Sequence, residues 1–144
     1  MNFFRKINLA VAETLALPAL GGLVAVAARV LMAHIFLIAG YGKITGYEGT
    51  IGYMESMGVP GGLLPLVIIV EIGGGLALLF GFQARLAALG LAVFSVLAAF
   101  SFHAADDMNQ QIHFMKNLAM AGGLLAFFLH GAGPFSLDAE DQKD

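Results

Sequence analysis

Two ionisable residues, Arg29 and Glu71, lie inside long apolar stretches of the sequence. A charged side chain within a membrane is costly unless it is paired. At 1.5 Å per residue, Arg29 lies about 15 Å from one membrane face and Glu71 about 12 Å from the other, in a core about 30 Å thick. We therefore predict a buried ion pair between them. One possibility is that the pair fixes the helix register and does nothing else. The other is that it also has a function, with Glu71 as a candidate proton relay.

A second set of polar residues falls at the ends of the apolar stretches and is predicted to gather at the outer end of the protein. Histidine, lysine and asparagine can donate hydrogen bonds to the carbonyls of a small ligand. The arrangement predicts a polar cavity for a quinone headgroup or another small polar-headed molecule. The predicted ligand-binding residues are Arg29, Lys43, Glu71, His103, His113, Lys116 and Asn117.

The spacing of the histidines does not favour a metal centre. His103 and His113 are separated by a predicted loop, and neither lies three or four residues from another ligand within a helix. Helical metal sites commonly use such spacings. No metal is therefore predicted.

The composition indicates a membrane protein. Of 144 residues, 59% are hydrophobic and only 12% are charged, which is too apolar for a soluble domain of ordinary composition. The net charge of −3 provides no basic surface for a nucleic acid. Because the chain has no cysteine, any redox function must come from a ligand or a partner.

Four stretches are long and apolar enough to cross a bilayer, which needs about 20 residues per helix. The stretches are 19–39, 63–80, 86–102 and a fourth that begins near residue 111 and includes the apolar segment 118–129. The pattern predicts an all-α integral membrane four-helix bundle with a short amphipathic N-terminal helix. We divide the chain into an N-terminal segment (1–18), the bundle (19–138) and an acidic tail (139–144).

Two segments outside the spans are predicted to lie at the membrane surface. Residues 2–17 form the amphipathic helix, because Glu13 and Pro18 interrupt the apolar run that a signal peptide would need. The first outer loop carries three tyrosines among glycines, and we expect it at headgroup level, where it could act as a lid. These tyrosines are Tyr41, Tyr47 and Tyr53.

The distribution of Lys and Arg predicts the orientation, because these residues are more frequent on the cytoplasmic side. With the N-terminus inside, four basic residues face the cytoplasm and two face outward. The first group is Arg5, Lys6, Arg85 and Lys143, and the second is Lys43 and Lys116. We therefore predict that both termini are cytoplasmic.

The polar residues and glycines recur in a fixed order across the four spans, and this order resembles the DoxX family. The shared features are Arg29, Phe36 with Gly40 and Lys43, Gly58-Val59-Pro60, Glu71 with Gly74, Gly75, Leu78, Gly81 and Arg85, His103, Lys116-Asn117-Leu118, and Gly133-Pro134 before Ser136-Leu137-Asp138. The resemblance implies a four-helix protein of the bacterial inner membrane. DoxX-like proteins are linked to respiratory or sulfur oxidoreduction, including a terminal quinol oxidase and thiosulfate:quinone oxidoreductase.

Two functions remain open from the sequence. The first is a membrane subunit of a quinone-linked oxidoreductase system, in which Arg29 tunes Glu71 and quinone is the cofactor. Its expected partners are the lipid bilayer, a redox partner protein and further copies of the chain. The alternative is a non-enzymatic carrier or scaffold that binds a small molecule or a lipid.

Overall fold

A computed structural model describes residues 2–104 and 107–140 of the chain. Within these ranges the backbone forms α-helices joined by short turns, with a 3-10 turn at Gly61–Leu63. The helices are α1 (Phe3–Leu15), α2 (Pro18–Thr45), α3 (Tyr47–Ser56), α4 (Leu64–Phe80), α5 (Ala84–Phe102), α6 (Met108–His130) and α7 (Leu137–Glu140). The predicted acidic tail therefore begins inside α7, and residues 141–144 lie outside the described residues.

Four of the helical segments are long and apolar enough to span a membrane, namely α2, the segment Gly61–Phe80 that contains α4, α5 and α6. This confirms the predicted all-α membrane bundle. Pro18 occupies the first turn of α2, where its missing N–H costs no hydrogen bond. Asp107 caps α6 by accepting hydrogen bonds from the backbone N–H groups of Asn109 and Gln110.

The spanning helices pack in chain order, with α2 against α4, α4 against α5, and α5 against α6. Contacts between α2 and α6, which would close the ring, are sparse. Small residues allow membrane helices to approach closely. The bundle core accordingly combines alanines with a few larger side chains: Phe36, Leu78, Ala88, Leu91, Ala92, Ala121 and Leu124.

The N-terminal helix α1 forms within the predicted segment 2–17. All of its residues are exposed, including the apolar Phe3, Phe4 and Ile7. Arg5 and Lys6 follow the two phenylalanines directly. An amphipathic helix with basic residues is typical of segments that lie in a membrane interface.

The first outer segment differs from the predicted glycine-rich loop, because most of it is the helix α3. Glycine lowers helix propensity, but packing of an apolar face can outweigh that loss. Thr50, Tyr53 and Met54 are spaced three and four residues apart, so they share one face of α3. Met54 is buried, and α3 covers one end of the bundle, which we call the α3 end.

Candidate functional site

A cavity of about 210 Å³ lies beneath α3. All four spanning helices and α3 contribute to its lining. Five of the seven residues predicted from the sequence lie on its wall: Lys43, Glu71, His103, Lys116 and Asn117. The structure therefore brings together most of the predicted polar cluster, at the end of the bundle where the sequence places it.

Glu71 is the most deeply buried charged residue of the cavity, with 5% of its side chain exposed. Its Oε1 atom accepts a hydrogen bond from Lys43 Nζ at 2.8 Å. Its Oε2 atom is buried and has no hydrogen-bond partner among residues 2–104 and 107–140. Leaving a buried polar atom unpaired is costly, and this oxygen has the capacity to accept a hydrogen bond from a donor in the cavity.

Gly40 allows α2 to approach the part of α4 that carries Glu71. A Cβ atom at residue 40 would lie 2.7 Å from Ile72 Cδ1 and 3.3 Å from Glu71 Cβ. A larger residue would force these helices apart. Gly40 thus fixes the register that places Lys43, less than one helical turn further along α2, within reach of Glu71.

The polar side chains of α6 are held by His113. The Asn117 side-chain amide donates to the His113 carbonyl oxygen at 3.0 Å, and Asn117 is buried. Lys116 Nζ lies 3.1 Å from His113 Nδ1. His113 itself does not line the cavity, in contrast to the prediction, but it positions two residues that do.

His103 lies at the end of α5 and is oriented by Gln110. Its Nδ1 atom is 2.6 Å from Gln110 Oε1. An amide oxygen only accepts, so with Gln110 Oε1 in this position the Nδ1 atom is the donor of the contact. The His103 and His113 rings are also neighbours, with centroids 5.1 Å apart.

The segment that was predicted as a possible lid also contributes to the cavity wall, and its residues were not among the predicted ligand-binding residues. Thr50, Tyr53 and Met54 line it from above. The Tyr53 ring stacks on Phe102, with centroids 5.7 Å apart, and its hydroxyl donates to the Phe102 carbonyl oxygen at 3.5 Å. The spacing of these three residues was the available signal, but the surrounding glycines favoured a loop.

Arg29 does not pair with Glu71, so the predicted ion pair is wrong. The guanidinium instead donates to the carbonyl oxygens of Leu79, at 3.2 Å, and Phe135, at 2.7 Å. Gly40, which packs against Glu71, follows Arg29 by 11 residues, about 16 Å along the helix. The prediction failed because α2 has 28 residues and is about 42 Å long, which exceeds a bilayer core of about 30 Å.

Arg29 belongs to a structural cluster at the opposite end of the bundle. Asp138 accepts hydrogen bonds from the N–H groups of Gln83, at 2.7 Å, and Ala84, at 2.8 Å, where α5 begins. Its own N–H donates to the carbonyl oxygen of Gly81, whose φ of 67° is in the left-handed region. These three hydrogen bonds of Asp138 connect the C-terminal segment to the turn between α4 and α5.

The DoxX family model matches residues 24–104. The chain belongs to the DoxX family. The match includes Lys43, Glu71 and His103, whereas Lys116 and Asn117 lie beyond it. The resemblance seen in the sequence is therefore confirmed for three of the spanning helices.

Two Escherichia coli K12 proteins are similar to this DoxX-family chain over most of its length. The inner membrane protein YqjF is 54% identical over 113 residues, covering 77% of this chain and 86% of YqjF. The inner membrane protein YphA is 30% identical over 119 residues, covering 77% of this chain and 85% of YphA. No solved structure matches the chain significantly.

Proposed function

We propose that this DoxX-family protein binds the headgroup of a quinone-like molecule in the cavity beneath α3, as the membrane subunit of a quinone-linked oxidoreductase system. We place it in the bacterial inner membrane, which the names of YqjF and YphA support. The observation that carries the proposal is the Oε2 atom of Glu71 on the cavity wall, which is buried and has no hydrogen-bond partner in the described part of the chain. A quinol hydroxyl is a neutral donor that would satisfy it.

The size and lining of the cavity suit a single ring. Its volume of about 210 Å³ is below the roughly 300–1,000 Å³ of pockets for drug-sized ligands. Phe36, Phe94 and Met54 provide apolar contacts for the faces of a ring. On α6, Asn117 and Lys116 provide groups that can hydrogen-bond the oxygens of the ligand.

The chain provides two proton acceptors for quinol oxidation. A bound quinol supplies two electrons, which pass to a redox-active partner protein. Glu71 accepts one proton at Oε2, and His103 accepts the other at Nε2. Protonation of Glu71 weakens its ion pair with Lys43, whose side chain is 27% exposed. The proton then leaves to water at the surface that the Lys43 side chain reaches, which restores the carboxylate and the ion pair. Glu71 would thereby act as a proton relay.

Replacement of Glu71 by glutamine tests the proposal, because Glu71→Gln keeps the size of the side chain and removes its charge. We expect quinol affinity to fall about tenfold or more, since a hydrogen bond to a charged group contributes about 1.5–3 kcal/mol. The measurement is calorimetric titration of the detergent-purified protein with a quinol that has a methyl group in place of a tail.

The matched control is Glu48→Gln, which changes an exposed carboxylate of α3. This control should bind quinol as the unmodified protein does. Unchanged affinity in Glu71→Gln would contradict the role of Oε2. Absence of quinol binding by the unmodified protein, with a lipid recovered by organic extraction, would favour the carrier function instead.

A further inference from the structure

We propose that the ligand enters the cavity sideways from the lipid, between α2 and α6, and that it is a membrane-dissolved molecule whose apolar tail remains there. This inference rests on the headgroup site proposed above. We call the entrance the α2–α6 seam and define it by four residues on the cavity wall: Ile35 and Ala39 of α2, and Lys116 and Met120 of α6.

The packing of the bundle is weakest at this seam. The other three neighbouring pairs of spanning helices are in extensive contact, whereas α2 and α6 touch at few positions. One of these is Met32 against Gly123, where an added Cβ atom would lie 2.7 Å from Met32 Cε. One turn nearer the α3 end, Ile35 and Met120 already line the cavity. The cavity therefore extends to the gap between these helices, just beyond their point of contact.

In contrast to the seam, the α3 end of the cavity is covered by protein. Tyr53 stacks on Phe102, and Met54 is 3% exposed, so α3 is fastened over the cavity. The 3-10 turn before α4 also packs against α3, because a Cβ atom at Gly61 would lie 2.6 Å from Ile51 Cγ2. A ring-sized molecule would have to displace α3 to enter from this end.

The chemistry of the lining indicates the class of ligand. The seam contributes the apolar side chains of Ile35, Ala39 and Met120, while Glu71 and His103 belong to α4 and α5. A cavity of about 210 Å³ accommodates a ring but not a long tail as well. The tail must leave the cavity. Three apolar residues of the seam lie between the cavity and the hydrocarbon region, and Lys116 is on the side of the seam nearer the α3 end. The structure thus fits an amphiphile with a polar ring and an apolar tail.

Photo-crosslinking tests where the tail lies. The probe is a benzoquinol with a long alkyl tail that carries a diazirine close to the ring, added to the full chain in lipid nanodiscs. Peptide mapping should place the crosslinks at the seam and at Met32 and Gly123. Crosslinks confined to α3, or to the surfaces of α4 and α5, would overturn the inference.

A reversible staple provides a second test, because the chain has no cysteine of its own. Ile35→Cys with Met120→Cys, joined by a short linker through disulfides, closes the seam until a reductant is added. We expect the staple to lower the affinity for the tailed quinol at least tenfold, and reductant, which leaves the quinol unchanged, to restore it. The control pair, Val93→Cys with Leu125→Cys, spans the groove between α5 and α6 and should change nothing.

The tail-less quinol separates the two proposals. If the unmodified protein does not bind it, the headgroup site fails and the seam fails with it. If both quinols bind and the staple leaves the affinity for the tailed quinol unchanged, the seam alone is wrong. If the staple abolishes binding of the tail-less ring as well, the crosslinked positions decide between the seam and the α3 end.

Discussion

At the scale of single residues, the two buried charged side chains have different surroundings. Glu71 lies on the cavity wall, whereas Arg29 lies in a structural cluster at the opposite end of the bundle. Glu71 faces the cavity with one oxygen bonded to Lys43 and one that has no partner among the residues the structure describes. Arg29 donates hydrogen bonds to carbonyl oxygens of α4 and of the C-terminal segment, at the end of the bundle opposite α3. Both residues have partners, as a charge in a membrane requires. Within the described residues, Arg29 Nε and Glu71 Oε2 are buried without a hydrogen-bond partner, and of these two residues Glu71 is the one that lines the cavity.

Substitution of Arg29 should therefore affect stability and leave the cavity unchanged. Arg29→Met removes two hydrogen bonds from a charged donor and leaves the oxygens of Leu79 and Phe135 unpaired. We expect the free energy of unfolding in detergent to fall by about 3 kcal/mol. Quinol affinity of the folded protein should not change, because Arg29 lies about 16 Å along α2 from the level of Glu71.

Arg5→Met is the control, since Arg5 lies on the exposed helix α1. It should unfold as the unmodified protein does. An Arg29→Met protein of full stability, or one that is stable but has lost quinol affinity, would contradict the structural role of Arg29.

Most of the polar residues of the cavity could be predicted from the sequence, because they lie where the apolar spans begin or end. Topology then brings His103, Lys116 and Asn117 together. The partner of Glu71 could not be predicted in this way, because distances counted from the membrane faces do not determine the register of two helices. That register depends on the close approach at Gly40, which only the packed structure shows.

At the scale of elements, the helix ends determine how the bundle is closed. The cap of α6 comes from Asp107, which is adjacent in sequence, whereas that of α5 comes from Asp138, more than 50 residues away. A local cap can be recognised from the sequence. A cap from a distant segment cannot, and this explains why the C-terminal motif had no assigned role before the fold was known.

Removal of the distant cap should loosen the end of the bundle opposite α3. Asp138→Ala leaves the N–H groups of Gln83 and Ala84 without their acceptor. We expect a loss of about 0.5–2 kcal/mol in the free energy of unfolding, as for other N-cap replacements. Hydrogen exchange should accelerate in the first turn of α5 and remain unchanged in α3.

The control for this prediction is Glu13→Ala, which removes an exposed carboxylate from α1. Equal hydrogen exchange in Asp138→Ala and the unmodified protein would show that the Asp138 bonds do not stabilise the start of α5.

At the scale of the whole molecule, the distribution of side-chain sizes is that of a membrane protein. Alanines mix with leucines and Phe36 in the centre, and large apolar residues cover the outside of all four spanning helices. Examples of the exposed residues are Leu31, Ile69, Leu97 and Leu129. Exposure of this apolar surface to water would be unfavourable, whereas contact with lipid chains would not. Assembly into homo-oligomers stays a prediction.

The orientation in the membrane also stays a prediction, and the absence of cysteine makes it easy to test. Glu48→Cys places a thiol on the exposed side of α3, and Phe82→Cys places one in the turn between α4 and α5. With both termini cytoplasmic, a membrane-impermeant maleimide should label Glu48→Cys in intact cells with a permeable outer membrane. It should label Phe82→Cys only after lysis, and the reverse pattern would invert the topology.

The central claim is that a quinol hydroxyl binds the free oxygen of Glu71. Infrared difference spectroscopy observes that contact directly, because a new hydrogen bond shifts the carboxylate stretching bands. Addition of tail-less quinol should shift one carboxylate band in the unmodified protein and in Glu48→Gln, and the change should be absent in Glu71→Gln. Quinol binding with the same carboxylate spectrum in all three proteins would contradict the claim.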